Sequence, residues 1–294
     1  MFQGLARSWQ LYKVCWNVLI HDKELLLFPL LSTVSLIITF ASIFSSGTLL
    51  RLATVVDENL GLLPRDYFIM GIFYFINYFI IVYFNAAIIG AARIRFEGGD
   101  PTLKDGFRIA NSHFWSIAGW ALISAIVSLF FYAIEKFARA QAGGGRGGLL
   151  VLVLIILSSI ARVAWSVITY LVVPVLVVEG VGPIEAIKRS AGMVRRTWGE
   201  QLVSRFGFDL MIIVFAIPIV LFAVIIAAVI PAPVGIFLAF AVGGIGIGLL
   251  LLVTAAMRAI YVAALYEYAA NGSVPQLFPE NVVINSWETR PDTA

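Results

Sequence analysis

The stretch EGGDPTLKDGFRIANSHFW, Glu97 to Trp115, decides the fold, because its plan returns in EGVGPIEAIKRSAGMVRRTW, Glu179 to Trp198. In each, a glycine precedes a proline by three residues: Gly98 and Pro101, then Gly180 and Pro183. A third pair, Gly272 and Pro275, comes near the C-terminus. Glycine closes a helix in the left-handed conformation, and proline opens the next because the N–H it lacks would find no partner there. Each stretch therefore reads as a joint between two helices.

The residues after the prolines carry a helical period. Ile184, Ile187, Ala191, Val194 and Trp198 step by three and four, with Lys188, Arg189, Arg195 and Arg196 opposite. Leu103, Phe107, Ala110 and Phe114 do the same, opposite Lys104, Asp105, Arg108 and Asn111. The N-terminus supplies a third case in Phe2, Leu5, Trp9, Tyr12, Trp16 and Leu19. These patterns predict three amphipathic helices whose basic faces and aromatic edges suit a headgroup layer.

Between the joints the chain is apolar. It is 61% hydrophobic and 13% charged, about half the charged content of a soluble domain. Six runs, roughly 25–50, 67–92, 114–134, 149–178, 206–230 and 232–266, reach the length of about 20 residues that a helix needs to cross a bilayer. Pro174 and Pro218 are expected to kink their spans. With the N-terminus in the cytoplasm, 13 of the 20 basic residues fall in inside segments and 5 in outside loops. That bias places both termini inside. Arg7, Lys13 and His21-Asp22-Lys23-Glu24 interrupt any early apolar region, so a cleavable signal peptide is not expected.

The expected fold is an all-α polytopic bundle. Six transmembrane helices form three diverged hairpin repeats, each preceded by an amphipathic interfacial helix. The repeats cover 1–95, 96–178 and 179–270 of one membrane domain, with a short cytoplasmic tail at 271–294.

The run SWQLYKVCWNVLIHDKELLLFPLLS, Ser8 to Ser32, with its ELLLFPLLS core and the recurring Gly–Pro joints, resembles a family of uncharacterised prokaryotic six-span membrane proteins known only as a domain of unknown function. That resemblance implies a multi-pass protein of the cytoplasmic membrane and brings no catalytic residues. A looser likeness is to the membrane region attached to some glycerophosphodiester phosphodiesterases. Their soluble catalytic domain has no counterpart here, so their activity does not carry over.

Ionisable groups inside spans are costly and need a partner or a purpose. Arg162, Asp209 and Arg258 are the candidates. Asp209 and Arg258 are expected to pair, because rise per residue puts them at similar depth. Arg162 has no evident acidic mate in its neighbourhood, which leaves carbonyls, Asn77, Asn85 or an anion to meet it. Asn77 and Asn85 lie among the aromatics of the second span, where amides usually bond a neighbouring helix. Gly244 and Gly248 form a small-xxx-small pair suited to close packing. AGGGRGG, Ala142 to Gly148, lacks the Gly-Lys-Ser/Thr ending of a phosphate loop and reads as a linker.

Cys15 is the one cysteine, and His21 and His113 flank no ligand pattern, so neither a disulfide nor a metal or other cofactor is expected. The small net charge of +3 does not suggest nucleic acid. The expectation is a non-enzymatic membrane protein that organises lipid, with anionic headgroups as partners, or assists a protein partner or a second copy of itself. The alternative is a transporter or channel with a polar path near Arg162, Asp209 and Arg258.

Overall fold

A computed structural model describes residues 2–45, 47, 64–142, 148–196, 198–272, 274–275 and 277–278. The side chains at 2–8, 64, 67, 139–142, 148–150, 196 and 198–210 lie outside that description. The described residues contain ten α-helices and no strand. Helix α1 is Phe2–His21, and a 3₁₀ turn at Lys23–Leu26 leads into α2, Leu27–Ser45. Then come α3 (Pro64–Phe96), α4 (Leu103–Ser112), α5 (Phe114–Ala142) and α6 (Gly148–Ile168). The chain continues with α7 (Val172–Glu179), α8 (Pro183–Arg196), α9 (Trp198–Val229) and α10 (Val234–Asn271).

Among the described residues, six segments are long and apolar enough to cross a membrane: Lys23–Ser45, Phe68–Phe96, Phe114–Ala138, Val151–Glu179, Met211–Val229 and Val234–Asn271. They coincide with the six expected spans. Helices satisfy their own backbone groups, which is what allows a segment to sit in lipid.

The three glycines act as the joints require. Gly98, Gly180 and Gly272 have φ of 84°, 66° and 66°, a region where a side chain would be strained. At the end of α3 the pattern is complete: Gly98 N–H bonds Arg95 O at 3.0 Å and Gly99 N–H bonds Ile94 O at 2.9 Å, the two bonds of a Schellman motif. The prolines are less uniform. Pro183 is the first residue of α8, whereas α4 begins two residues after Pro101. There Asp105 N–H donates to Thr102 Oγ1 at 3.3 Å and the Asp105 carboxylate accepts from Thr102 N–H at 3.1 Å. This reciprocal capping takes over the role expected of proline.

The fourth span is two helices. After Ile168 the backbone turns at Thr169–Leu171 before α7 begins. Pro174 explains the break, since its ring excludes the Tyr170 carbonyl one turn back and it has no N–H to bond it. Pro218, by contrast, is carried inside continuous α9.

The chain divides into two compact units. One comprises Met1–Leu30, Ile88–Gly106 and Arg195–Ala294. In it α1 packs on α9 and α10, burying Leu11, Cys15, Val18 and Leu19. Trp9 and Tyr12 stack on Phe215 with ring centroids 6.4 and 5.9 Å away. The buried half of α10 includes Met257, Ile260, Tyr261 and Leu265. The other unit comprises Leu31–Ala87 and Phe107–Val194. Here α5 packs on α6 and α7, Trp120 stacks on Trp165 at 6.1 Å, and Ile117, Ala121, Leu171 and Leu176 are buried.

The buried stripes of α1 and α8 differ from the seams that periodicity marked. In α8 they are Ala186, Ser190 and Val194, while Ile184 is exposed. In α1, Trp9 and Trp16 lie outside the buried stripe. Small side chains permit close helix approach, so they win the packed face and the large ones are left at the edge. Gly243 and Gly246 in α10 follow the same rule. A Cβ there would lie 3.1 Å from Ala223 Cβ and 2.8 Å from Ile219 Cγ2, whereas Gly244 and Gly248 have open space beside them.

Candidate functional site

Arg162 in α6 is paired, which corrects the expectation that it lacks an acid. Its Nη2 lies 3.1 Å from Glu135 Oε2, and its guanidinium sits 5.8 Å from the centre of the Phe131 ring. The reason is length. Helix α5 continues beyond residue 134, so Phe131 and Glu135, one turn apart, both reach the α6 surface. Asn77 corrects a second expectation. Its Nδ2 donates to Phe73 O at 2.7 Å, one turn back in its own helix, a local bond open to short amides. Asn85 is half-buried. Arg258 is half-buried and has partners, and the predicted pairing falls on Asp209, whose side chain lies outside the described residues.

The most connected polar groups lie at the helix ends. In the first unit, Asp22 accepts two hydrogen bonds from the Arg95 guanidinium, and Asp100 accepts one from Arg95 Nη2 at 2.8 Å. Asp22 is buried and Arg95 is largely so, so charge-assisted bonds there are worth more than surface pairs. Two residues on, Glu24 Oε2 accepts from the Leu103 N–H at 2.9 Å, supplying negative charge to the N-terminus of α4. Arg93, at the same end of α3, lies 3.0 Å from Glu97 and 3.3 Å from Glu267 of α10. The segment after α1 is thus lashed to the Gly98–Pro101 joint.

The second unit has its own contacts at a joint. The end of α4 meets the Gly180–Pro183 joint. His113 Nε2 lies 3.6 Å from where a Cβ on Gly180 would stand, and a Cβ on Gly119 of α5 would lie 3.1 Å from Pro183 Cγ. Ser190 in α8, fully buried, closes the broken span: its Oγ donates to Ile168 O at 2.6 Å and accepts from Leu171 N–H at 3.1 Å. One hydroxyl thus satisfies a donor and an acceptor that the helix break leaves open. Arg189 beside it bonds Glu179 and Glu185, and those bonds, Glu179 first, hold its pKa above the usual value. Tyr83 donates to Asn111 Oδ1 at 2.8 Å, tying α3 to α4.

Sequence reasoning missed Asp22, Glu24, Arg95, Glu135 and Ser190. Arg93 and Arg95, just inside the end of an apolar run, were the available signal for the first joint. A lone Ser among the small residues of α8 was a faint one for the second. Among the described residues no three His, Cys, Asp or Glu side chains converge as a metal site would require.

No curated protein and no solved structure matches the chain. A family profile does, over residues 65–275, which takes in five of the six candidate spans and all three Gly–Pro joints and leaves out the N-terminal run. The chain therefore belongs to DUF6159, a family of unknown function.

Proposed function

We propose that this is a non-enzymatic protein of a prokaryotic cytoplasmic membrane, with both termini inside, that organises anionic phospholipid around a bundle of three diverged hairpin repeats. One contrast carries the reading. The intramembrane cation Arg162 is met by Glu135 and Phe131, whereas Lys13, Lys104, Lys188 and Arg195 on the surface helices are exposed. The Arg162 charge thus has a partner within the protein, and the charge on the surface helices faces outward, where headgroups can meet it. The left-handed glycines at all three joints support the repeat. Surface helices of this kind would order lipid without chemistry of their own, and a protein partner or a second copy could use the same surface.

Extraction into native nanodiscs, followed by phospholipid analysis against the bulk membrane, tests the reading. Enrichment of anionic phospholipid is expected. An unchanged composition would overturn it, and ion or solute flux in proteoliposomes would favour a transport path near Arg162, Asp209 and Arg258 instead.

A further inference from the structure

Helix α1 has a broad apolar surface with two sides, joined at Tyr12. At about 100° per residue, Leu11, Cys15, Val18 and Leu19 centre one edge, buried where α1 packs on α9 and α10. Trp9, Trp16 and Ile20 centre a second edge about 130° further round, and these are 38%, 42% and 47% exposed. Gln10, Asn17 and His21 form a third, exposed edge, where His21 Nδ1 bonds Asn17 O at 2.7 Å. Docking on the bundle uses the first edge and, early in the helix, Tyr12 and one face of Trp9, which stack on Phe215; Trp16 and Ile20 lie beyond those contacts. A second apolar edge, turned well away from it and followed by a polar one, is the arrangement of a helix lying in the membrane interface. One side then meets protein, the underside acyl chains, and the top water.

Two further features favour lipid as the occupant of the second edge. Its exposed apolar surface continues through Ile20 to Leu27 and Leu30 at the start of span α2, which are 38% and 42% exposed. Tryptophan is the side chain best suited to the headgroup boundary, with an apolar body and one N–H donor. Lys13 stands between the aromatic and polar edges with its Nζ 5.5 Å from the centre of the Trp9 ring. From there its stem can follow the apolar edge while the ammonium reaches phosphate level.

The geometry points to a specific seat for an anionic phospholipid on α1: glycerol and upper acyl chains against Trp9, Trp16 and Ile20, and the phosphate against Lys13. This deepens the lipid-organising reading and rests on it. The test has two arms. In the first, single spin labels are placed by Gln10→Cys, Trp16→Cys, Asn17→Cys and Ile20→Cys in a Cys15→Ala chain in nanodiscs. Oxygen should reach positions 16 and 20, and a water-soluble nickel chelate positions 10 and 17. Access of the chelate to 16 and 20, or shielding of both from either reagent as a protein partner would cause, overturns the seat. In the second, brominated phosphatidylglycerol and brominated phosphatidylcholine compete to quench the fluorescence that Trp9→Phe/Trp16→Phe removes. The glycerol lipid should win by about fivefold, and Lys13→Gln should abolish the preference. No preference in the parent, or one that Lys13→Gln leaves undiminished, overturns the seat. If the nanodisc-retained lipid is nevertheless enriched in anionic species, the broader reading stands without it.

Discussion

Asp22 and Arg95 stand 73 residues apart in the chain and form a two-pronged ion pair, joining the end of the first surface helix to the end of the second span. Arg95 also holds Asp100 at 2.8 Å, so one guanidinium ties the loop after α1 to the Gly98–Pro101 joint. Without Asp22 the part-buried Arg95 guanidinium keeps only Asp100 as a partner. Asp22→Asn should lower unfolding stability by about 1–3 kcal/mol, read as the midpoint of an SDS titration in mixed micelles. The swap Asp22→Arg with Arg95→Asp should recover part of the loss; no recovery would mean that the contact is incidental.

Ser190 is predicted to hold the broken fourth span to helix α8. Ser190→Ala leaves the Leu171 N–H and the Ile168 carbonyl without a partner in a buried setting, at about 2 kcal/mol. The same titration measures it. A loss below about 0.5 kcal/mol, the range of ordinary surface changes, would show that the hydroxyl is dispensable.

Arg162 and Glu135 should behave as a pair. Arg162→Leu or Glu135→Gln alone strands a polar or charged group facing apolar surroundings and should reduce thermal stability. Arg162→Leu with Glu135→Leu should be close to the parent or above it, because replacing both partners by apolar groups removes the desolvation cost. Equal losses in single and double variants would count against a purely structural pair.

Cys15 reports whether α1 stays seated. Burial pushes its thiol above the ordinary value. The fold therefore keeps the proton while the unfolded chain can release it, so this contribution to stability is full below about pH 8.5 and is lost as pH rises above it. Iodoacetamide at pH 8 should modify the native protein slowly and the denatured protein readily. Rapid native modification would mean that α1 leaves the bundle often.

Gly119→Val should be the least tolerated change in the second joint, since even a Cβ would lie 3.1 Å from Pro183 Cγ. A loss of about 1–3 kcal/mol is expected from overpacking, against a smaller one for Gly182→Ala, which has open space beside it.

Much of the framework was legible from residue order alone. Apolar length sets the six spans because a bilayer has one thickness, and Gly98, Gly180 and Gly272 mark helix ends because only glycine takes the left-handed turn cheaply. Pro174 carried its own break for the same local reason. These features depend on a residue and its near neighbours in the chain.

The polar pairings were decided elsewhere. Glu135 lies one residue past the third span as read at 114–134, and only the length of α5 brings it to Arg162. Asp22, Glu24 and Ser190 look like ordinary polar residues until the fold delivers Arg95, the Leu103 N–H and the open ends of the broken span to them. Likewise periodicity marked Trp9, Trp16 and Ile184 as a seam, but close approach of helices gave the packed face to Cys15, Ala186 and Ser190. Residue order determined where this chain crosses and turns, because those are local properties of backbone and hydropathy. Tertiary structure decided which charges meet and which faces are buried, because both depend on groups that only folding brings within a few ångströms.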